Sequence, residues 1–491
     1  MKTPFFPALH HILAPMNSRL KAAARSLSQA TLHQIEDRFA PALDEDIFQK
    51  PAQKEHSRER VFSLTRTFWC WMWQVLQGNT SCREVVRQVQ ALFAISSHGK
   101  IDEGTAAYCN ARKKLLGAML ERAFLSSACS AQKYAAVADL LQGRSLKIVD
   151  GSYIRVADTV ANRKVFPPSK HQFKKPCFPM MKVVALFSAA SGAILAKAVG
   201  SFEQSEMRLL MELKTALSPG DVLSGDRHYG CFVMAAWLQS LGTDLIARLA
   251  SGSRKVDFRT AFKRLSRQDG VFKWCKPKKA SPLMSAVEWE ALPQEILVRV
   301  IRTNIERPGF RTREITVMTT LVDESLYPAQ EILAAYHKRW RLEMCLDDLK
   351  TTLGMEMLNC QSPEMLEKEL LVFLTAHNLL RWMMAQAALR GGVNLERISF
   401  KGALDAFRQW SVGLVQVRGV GRKRRQAELW HQLLQTLVAD LVPLRPGRKE
   451  PRAVKKRSKY PTLDCPRHLF RERLSRNARR RRAVAKKTHL K

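Results

Sequence analysis

Within YHKRWRLEMCLDDLK, residues 336–350, a phenol, a guanidinium, a carboxylate and an ammonium recur as Tyr336, Arg339, Glu343 and Lys350, at offsets 0, 3, 7 and 14. On a helix turning about 100° per residue these side chains share a stripe about 60° wide. Leu342, Leu346, Leu349 and Leu353 form an apolar stripe beside it. A carboxylate with three such neighbours can hold a divalent cation while the others hold phosphate oxygens, so the stretch reads as a phosphodiester site. A solvated amphipathic helix with Glu and Lys pairs has the same spacing, and other parts of the chain must decide. Asp347, at offset 11, lies on nearly the same face as Glu343. Glu343 is the better ligand because it falls angularly between Tyr336 and Arg339 and has one more methylene of reach.

Two further acids stand in a stretch of short apolar runs between residues 146 and 249. LKIVD (146–150) reads as a strand, and VVALF (183–187) with AILAKAV (193–199) as a hairpin around Ser191 and Gly192. Leu209, Leu210, Leu213 and Leu217 give a helix its core face, and Pro219 and Gly220 end it. DVLSGD (221–226) is a strand, residues 231–241 a helix stopped at Gly242, and DLIARL a last strand. The order βββαβαβ predicts an α/β sheet with crossover helices. Asp150 closes its first strand and Asp226 its fourth, and chemistry in such sheets gathers at carboxyl ends. Either Asp alone is an ordinary turn former. If the two strands are neighbours, the aspartates converge, and a helix from Pro328 onward can carry Glu343 over them. Three carboxylates together repel unless cations neutralise them. Two divalent ions held there would activate a water or hydroxyl and stabilise the leaving oxygen of a phosphodiester.

The elements that must position these residues belong to a chain of 491 residues, 46% hydrophobic, with 81 Lys or Arg against 44 Asp or Glu and a formal net charge of +37. Such an excess implies a polyanionic partner. No uncharged apolar run is long enough to cross a membrane, since His377, Asn378 and Arg381 interrupt the longest candidate, so nucleic acid is the better partner. Ten scattered cysteines without metal-binding spacing read as reduced thiols, and the absence of a secretory pattern predicts a cytoplasmic protein. Residues 1–58 read as an N-terminal segment and linker. Residues 59–137 read as a helical DNA-binding domain. It has an aromatic-rich helix (61–76), a helix opened by a capping box of Ser81 and Glu84, and a third from Thr105 that turns Tyr108, Ala111, Leu115 and Met119 inward. Asn110 and Lys113 would then face a groove, although a plain bundle with a solvated basic face fits equally. Residues 138–400 form the catalytic domain, with a β-rich insertion at 250–325, and residues 401–491 a basic C-terminal region. From 443 onward that region has 19 Lys or Arg against three acids, a composition suited to disorder that orders on DNA.

These blocks resemble the DDE transposases of the insertion sequence four family, which carry a Tyr-Arg-Glu-Lys signature. The spacing from Tyr336 through Arg339 and Glu343 to Lys350 is complete, and Arg339-Trp340 is also similar to the family. Asp150 sits in IVDGSYIRVADT and Asp226 in LSGDRHYG, both similar to family motifs. The resemblance implies a ribonuclease H-like mixed sheet with flanking helices, a metal-binding catalytic triad of Asp150, Asp226 and Glu343, and Mg²⁺ as cofactor with Mn²⁺ substituting. Tyr336, Arg339 and Lys350, with Arg227 and Trp340, would contact double-stranded DNA at the terminal inverted repeats and the target. A homodimer in a synaptic complex and a nucleoid location are further expectations. The resemblance leaves a base-stacking aromatic open among Phe272, Trp274, Trp289 and Phe310. Two rival classes are a catalytically silent DNA-binding protein and a structure-specific nuclease that cuts without joining.

Overall fold

The structure is a computed structural model that describes residues 39–48, 61–95, 101–134, 140–168, 178–249, 256–304, 314–413 and 422–443. Most of the N-terminal segment, Phe310 with the turn around it, and the basic run 444–491 lie outside the described residues.

Ten strands form one mixed sheet. β1 (Leu146–Val156) pairs antiparallel with β2 (Met180–Ser188), and β2 antiparallel with β3 (Ile194–Ser201). On its other side β1 runs parallel to β4 (Val222–Gly225), which runs parallel to β5 (Asp244–Arg248). The expected neighbour relation of the first and fourth strands is therefore present. The hairpin also forms where expected, with Gly192 at φ 70° in its turn, a conformation that favours glycine. One boundary differs. β1 continues six residues past Asp150, because Ser152 to Arg155 still pair with β2, and residues 155 and 156 pair with β10 (Met357–Leu358). Asp150 is thus interior to a long strand, at the level where its neighbour β4 ends.

The strands expected in the insertion extend this sheet. β5 pairs antiparallel with β9 (Glu314–Thr319), followed outward by β8 (Glu295–Asn304), β7 (Asp269–Cys275) and β6 (Lys263–Arg264). Two buried ion pairs brace the arrangement. Lys147 Nζ meets Asp221 Oδ2 at 2.6 Å, fixing the entry of β1 to that of β4. Arg299 is bidentate to Asp269 at 2.9 and 2.6 Å and also donates to the Tyr327 carbonyl at 2.6 Å, tying the insertion to the residue before Pro328. Removing one partner of such a pair costs about 3–5 kcal/mol, because the other charge stays buried.

The helices divide between two faces. α1 (Leu64–Leu76), α2 (Cys82–Ile95), α3 (Ala106–Lys114) and α4 (Gly117–Gln132) precede the sheet. The stretch read as a third helix is broken at Leu115 and Leu116, whose extended backbone lets Tyr108 and Met119 both reach the core from separate helices. Ser81 caps α2 by accepting from Glu84 N at 3.2 Å, but the Glu84 carboxylate turns to Thr80, so only half of the capping box forms. α5 (Val160–Val165) follows β1. α11 (Pro363–Gly391) starts at Ser362, whose hydroxyl accepts from Met365 N, has Pro363 in its first turn and stops at Gly392, φ 62°. It is the scaffold helix expected there. α1 and α4 pack on it, and its buried residues join theirs and Ile148, Ile154 and Val156 of β1 in one core. The opposite face of the sheet holds α6 (Glu206–Glu212), α7 (Phe232–Ser240) and α8 (Ala286–Ala291), packed with Val149, Leu223 and Leu245 in a second core. α12 (Phe400–Gly413) and α13 (Arg422–Ala439) complete the first.

Candidate active site

Parallel pairing sets the two aspartates. The pairing runs as far as Ile148 with Ser224, each two residues before an aspartate, and the Asp226 charge acts on the Asp150 carboxyl. Alternation of strand side chains then turns Asp150 to the face of Ile148. Each acid caps its own backbone: Asp150 Oδ1 accepts from Gly151 N at 2.9 Å and Asp226 Oδ1 from His228 N at 2.8 Å. Burial raises the Asp150 carboxyl to about 6, opposed by the Gly151 N–H and Arg339 and reinforced by Asp226 and Glu206.

α9 (Ala329–Lys338) begins after Pro328, turns at Arg339 and continues as α10 (Trp340–Asp347), which widens into a π turn over Asp348–Thr352. Ile332, Ala335, Leu349 and Leu353 are buried, so the apolar stripe docks on the core and leaves the polar stripe toward the strand edge. Arg339 is 17% exposed and stands between the acids. Its guanidinium donates to Glu343 Oε1 at 3.3 Å, lies 5.8 Å from the Tyr336 ring centre and feels Asp150. Lys350, carried by the π turn, is half-buried. Its ammonium is lowered by desolvation, with Glu356 and Asp150 opposing that shift. Trp340 and Met344 are exposed on α10, and Arg227 is exposed on the turn after Asp226. Asp347 is exposed and accepts from Thr351 Oγ1 at 2.8 Å.

The structure therefore brings Asp150, Asp226, Arg339 and Lys350 to one edge of the sheet. Glu343 is at the same helix but faces Arg339, and among the described residues no three His, Cys, Asp or Glu side chains are close enough to hold a metal ion. The donor types nonetheless suit a hard divalent cation, since all are carboxylate oxygens. Tyr229 adds an orphaned polar atom: the side chain is fully buried, its hydroxyl has no partner, and its phenol is raised by burial and then by Glu206, Asp150 and Asp226. Of the stacking candidates, Trp289 is buried, Phe272 packs edge-on against Phe258, and Trp274 is half-buried.

Spacing did not show that Glu206 and Tyr229 come near Asp150 and Asp226. The available signal was topological: β3 runs parallel to β1 after two antiparallel steps, so the first residue of α6 returns to the edge where β4 ends.

Residues 141–379, which span all three acids, match the family model of the transposase DDE domain. Over 411 residues the chain is 25% identical to transposase InsG for insertion sequence element IS4 of Escherichia coli (strain K12), covering 82% of this chain and 88% of that protein. The chain belongs to the DDE transposases of the insertion sequence four family. It is an enzyme that cuts and transfers DNA. A solved piggyBac transposase synaptic complex with hairpin DNA aligns with 84% of this transposase and 85% of that chain, at a TM-score of 0.40 and 8% identity. No helix among the described residues is long and apolar enough to cross a membrane.

Proposed function

We propose that the transposase has a ribonuclease H-like core in which Asp150, Asp226 and Glu343 hold divalent cations, Mg²⁺ with Mn²⁺ able to substitute. The single observation that carries this reading is the β1–β4 pairing, which runs to two residues before each aspartate and so brings Asp150 and Asp226 to the edge where Arg339 and Lys350 arrive. The chemistry supplied by cations bound there is activation of the attacking oxygen and stabilisation of the leaving oxygen of a phosphodiester. The protein's own groups do the rest. Arg339 and Lys350 neutralise phosphate oxygens beside the acids, Tyr336 supports the Arg339 guanidinium, and Arg227 and Trp340 contact the DNA strand from their exposed positions. Glu343 exchanges its Arg339 partner for the site when the terminal inverted repeat enters. The cut ends would be joined to target DNA within a homodimeric synaptic complex in the bacterial cytoplasm. The helical layer of residues 59–137 and the basic region after residue 443 would hold flanking DNA.

The test is divalent-cation-dependent nicking of a labelled element end. Glu343→Gln, Asp150→Asn and Asp226→Asn should each abolish nicking while DNA affinity changes little, and Asp347→Asn should nick like the parent. Nicking by Glu343→Gln together with loss in Asp347→Asn would reverse the assignment on α10.

A further inference from the structure

We propose that Cys82 and Cys109 are a modification site, in which a hydroperoxide oxidises Cys82 and Cys109 closes a disulfide onto it. The site lies in the helical layer before the sheet, apart from the acids and the residues around them.

Folding gathers thiols that the sequence scatters. Cys82 is the first residue of α2, Cys109 stands near the middle of α3, and Cys360 follows β10. Arg112, one turn further along α3, brings its guanidinium to them. It donates from Nη1 to Cys82 Sγ at 3.3 Å and from Nη2 to Cys360 Sγ at 3.0 Å. The Cys109 thiol hydrogen-bonds Cys82, and Gln74 Nε2 lies 3.8 Å from the same sulfur. Donors from three residues thus converge on Cys82 Sγ, which suits a thiolate, since an anionic sulfur only accepts.

The guanidinium also needs an anion. Arg112 is 6% exposed and lies 3.8 Å from the Trp71 ring centre. Among the described residues no carboxylate pairs with it: Glu369, whose charge reaches it, accepts from Asn359 N and Cys360 N instead. A buried cation without a counter-ion is costly. Cys82 is the thiol best placed to supply one, because it opens a helix, whose free N–H groups favour an anion. Its thiol is held below the ordinary value by the Cys109 hydrogen bond, against desolvation and with help from Arg112 and Gln74. Cys109, the donor of that bond, is raised, and Cys360 is raised by desolvation and then by Glu369. One thiolate therefore stands beside one thiol. Both are partly exposed, whereas Cys70 and Cys345 are buried and raised by desolvation. A partly exposed thiolate next to a second thiol is the arrangement that oxidants select.

The Cys82 thiolate attacks the terminal oxygen of the hydroperoxide. The O–O bond breaks, Cys82 becomes a sulfenic acid, and the departing oxygen takes a proton from solvent and leaves as water or an alcohol. The Cys109 sulfur then attacks Cys82 Sγ, the S–O bond breaks, and the hydroxide leaves with the Cys109 proton as water. Two thiols lose two electrons to one hydroperoxide. The new bond ties the start of α2 to α3 and takes from Arg112 the anion that it faces.

The experiment uses the full-length reduced protein with hydrogen peroxide, and mass spectrometry of unreduced, alkylated peptides reads the products. One equivalent should produce the Cys82–Cys109 disulfide before any other. A first disulfide between other cysteines, or oxidation of Cys82 without a bond to Cys109, overturns the proposal. Cys109→Ser should leave Cys82 as a sulfenic acid that dimedone traps, and Cys82→Ser should leave Cys109 unoxidised at the same dose. Sulfenic acid on Cys109 in Cys82→Ser, with none on Cys82 in Cys109→Ser, refutes the roles given to the two thiols. The parent alone covers the case in which a variant does not fold, through the pH profile of alkylation by iodoacetamide. Its rate at Cys82 should reach half-maximum at least about one pH unit below that at the exposed Cys129 and Cys275, which should follow an ordinary thiol near about 8.5. A Cys82 profile that coincides with theirs would mean that no thiolate faces Arg112, and the assignment fails.

Discussion

Asp150 is an acid whose own fold opposes its charge. Its carboxyl lies at about 6 instead of the ordinary 3.8, chiefly because the strand buries it. Below pH 3.8 both folded and unfolded chains carry it protonated and no cost arises. Between 3.8 and 6 the folded chain binds the extra proton, so stability falls as pH rises through that window; above it folding carries the full charging cost, about 3 kcal/mol. Asp150→Asn should therefore be more stable than the parent by about that amount at about pH 7 in chelator, with the gain vanishing near about pH 3.5. Urea melts at the two pH values measure it, and an equal gain at both would place the effect in packing. Residue types and spacing found Asp150 and Asp226 because each ends a legible apolar run beside a glycine. They could not show that the Glu206 carboxylate lies over Gly151, since its place depends on which strands pair and on a side chain that Gly151 lacks.

At the scale of elements, regular geometry was legible in the sequence and its interruptions were not. The apolar stripe of α9–α10 docks as periodicity requires, yet the helix turns at Arg339 and becomes a π turn before Lys350. An ideal wheel sets Lys350 on the Glu343 stripe; in the π turn it is half-buried, with Glu356 and then Asp150 acting on it, and such turns are frequent at functional sites. The β2–β3 hairpin shows the same division. Its turn was legible from Ser191 and Gly192, but not that Arg381 of α11 closes over it, donating to the Ser191 carbonyl at 2.9 Å. A Cβ at Gly192 would strike that guanidinium, in a residue already at φ 70°. Gly143, at φ 78°, has nothing within 4 Å of its Cβ position. Gly143→Ala should then cost only the left-handed backbone penalty, about 1 kcal/mol. Gly192→Ala should cost that plus the displacement of Arg381, at least about 1 kcal/mol more for the lost hydrogen bond. Chemical denaturation of the pair decides it, and equal losses would mean that Arg381 moves aside freely.

At the scale of the whole molecule, charge was the most legible property and its division the least. The net +37 already implied DNA, and residues 444–491 carry +16 of it, with 19 Lys or Arg against three acids. The remaining +21 belongs to residues 1–443, whose proposed site would engage only a few phosphates through Arg339 and Lys350. Counterion release makes affinity for any DNA depend on how many phosphates the protein neutralises, and log affinity falls against log salt with a slope of about −0.9 for each of them. A truncation after Pro443 keeps the last described hydrogen bonds, Val442 N to the Arg397 carbonyl at 2.6 Å and Arg397 Nε to the Val442 carbonyl at 2.9 Å, on the retained side of the cut. The shortened protein should bind all duplexes more weakly, with a salt slope shallower by about 0.9 for every phosphate it no longer neutralises. Its ratio of affinities for an inverted-repeat end over unrelated DNA should stay the same, since a protein's grip on phosphate carries no sequence information. Salt titrations with both duplexes separate the possible results. An unchanged slope would make the basic run a bystander, and a collapse of the ratio would mean that it reads bases and that specificity is not confined to the folded body.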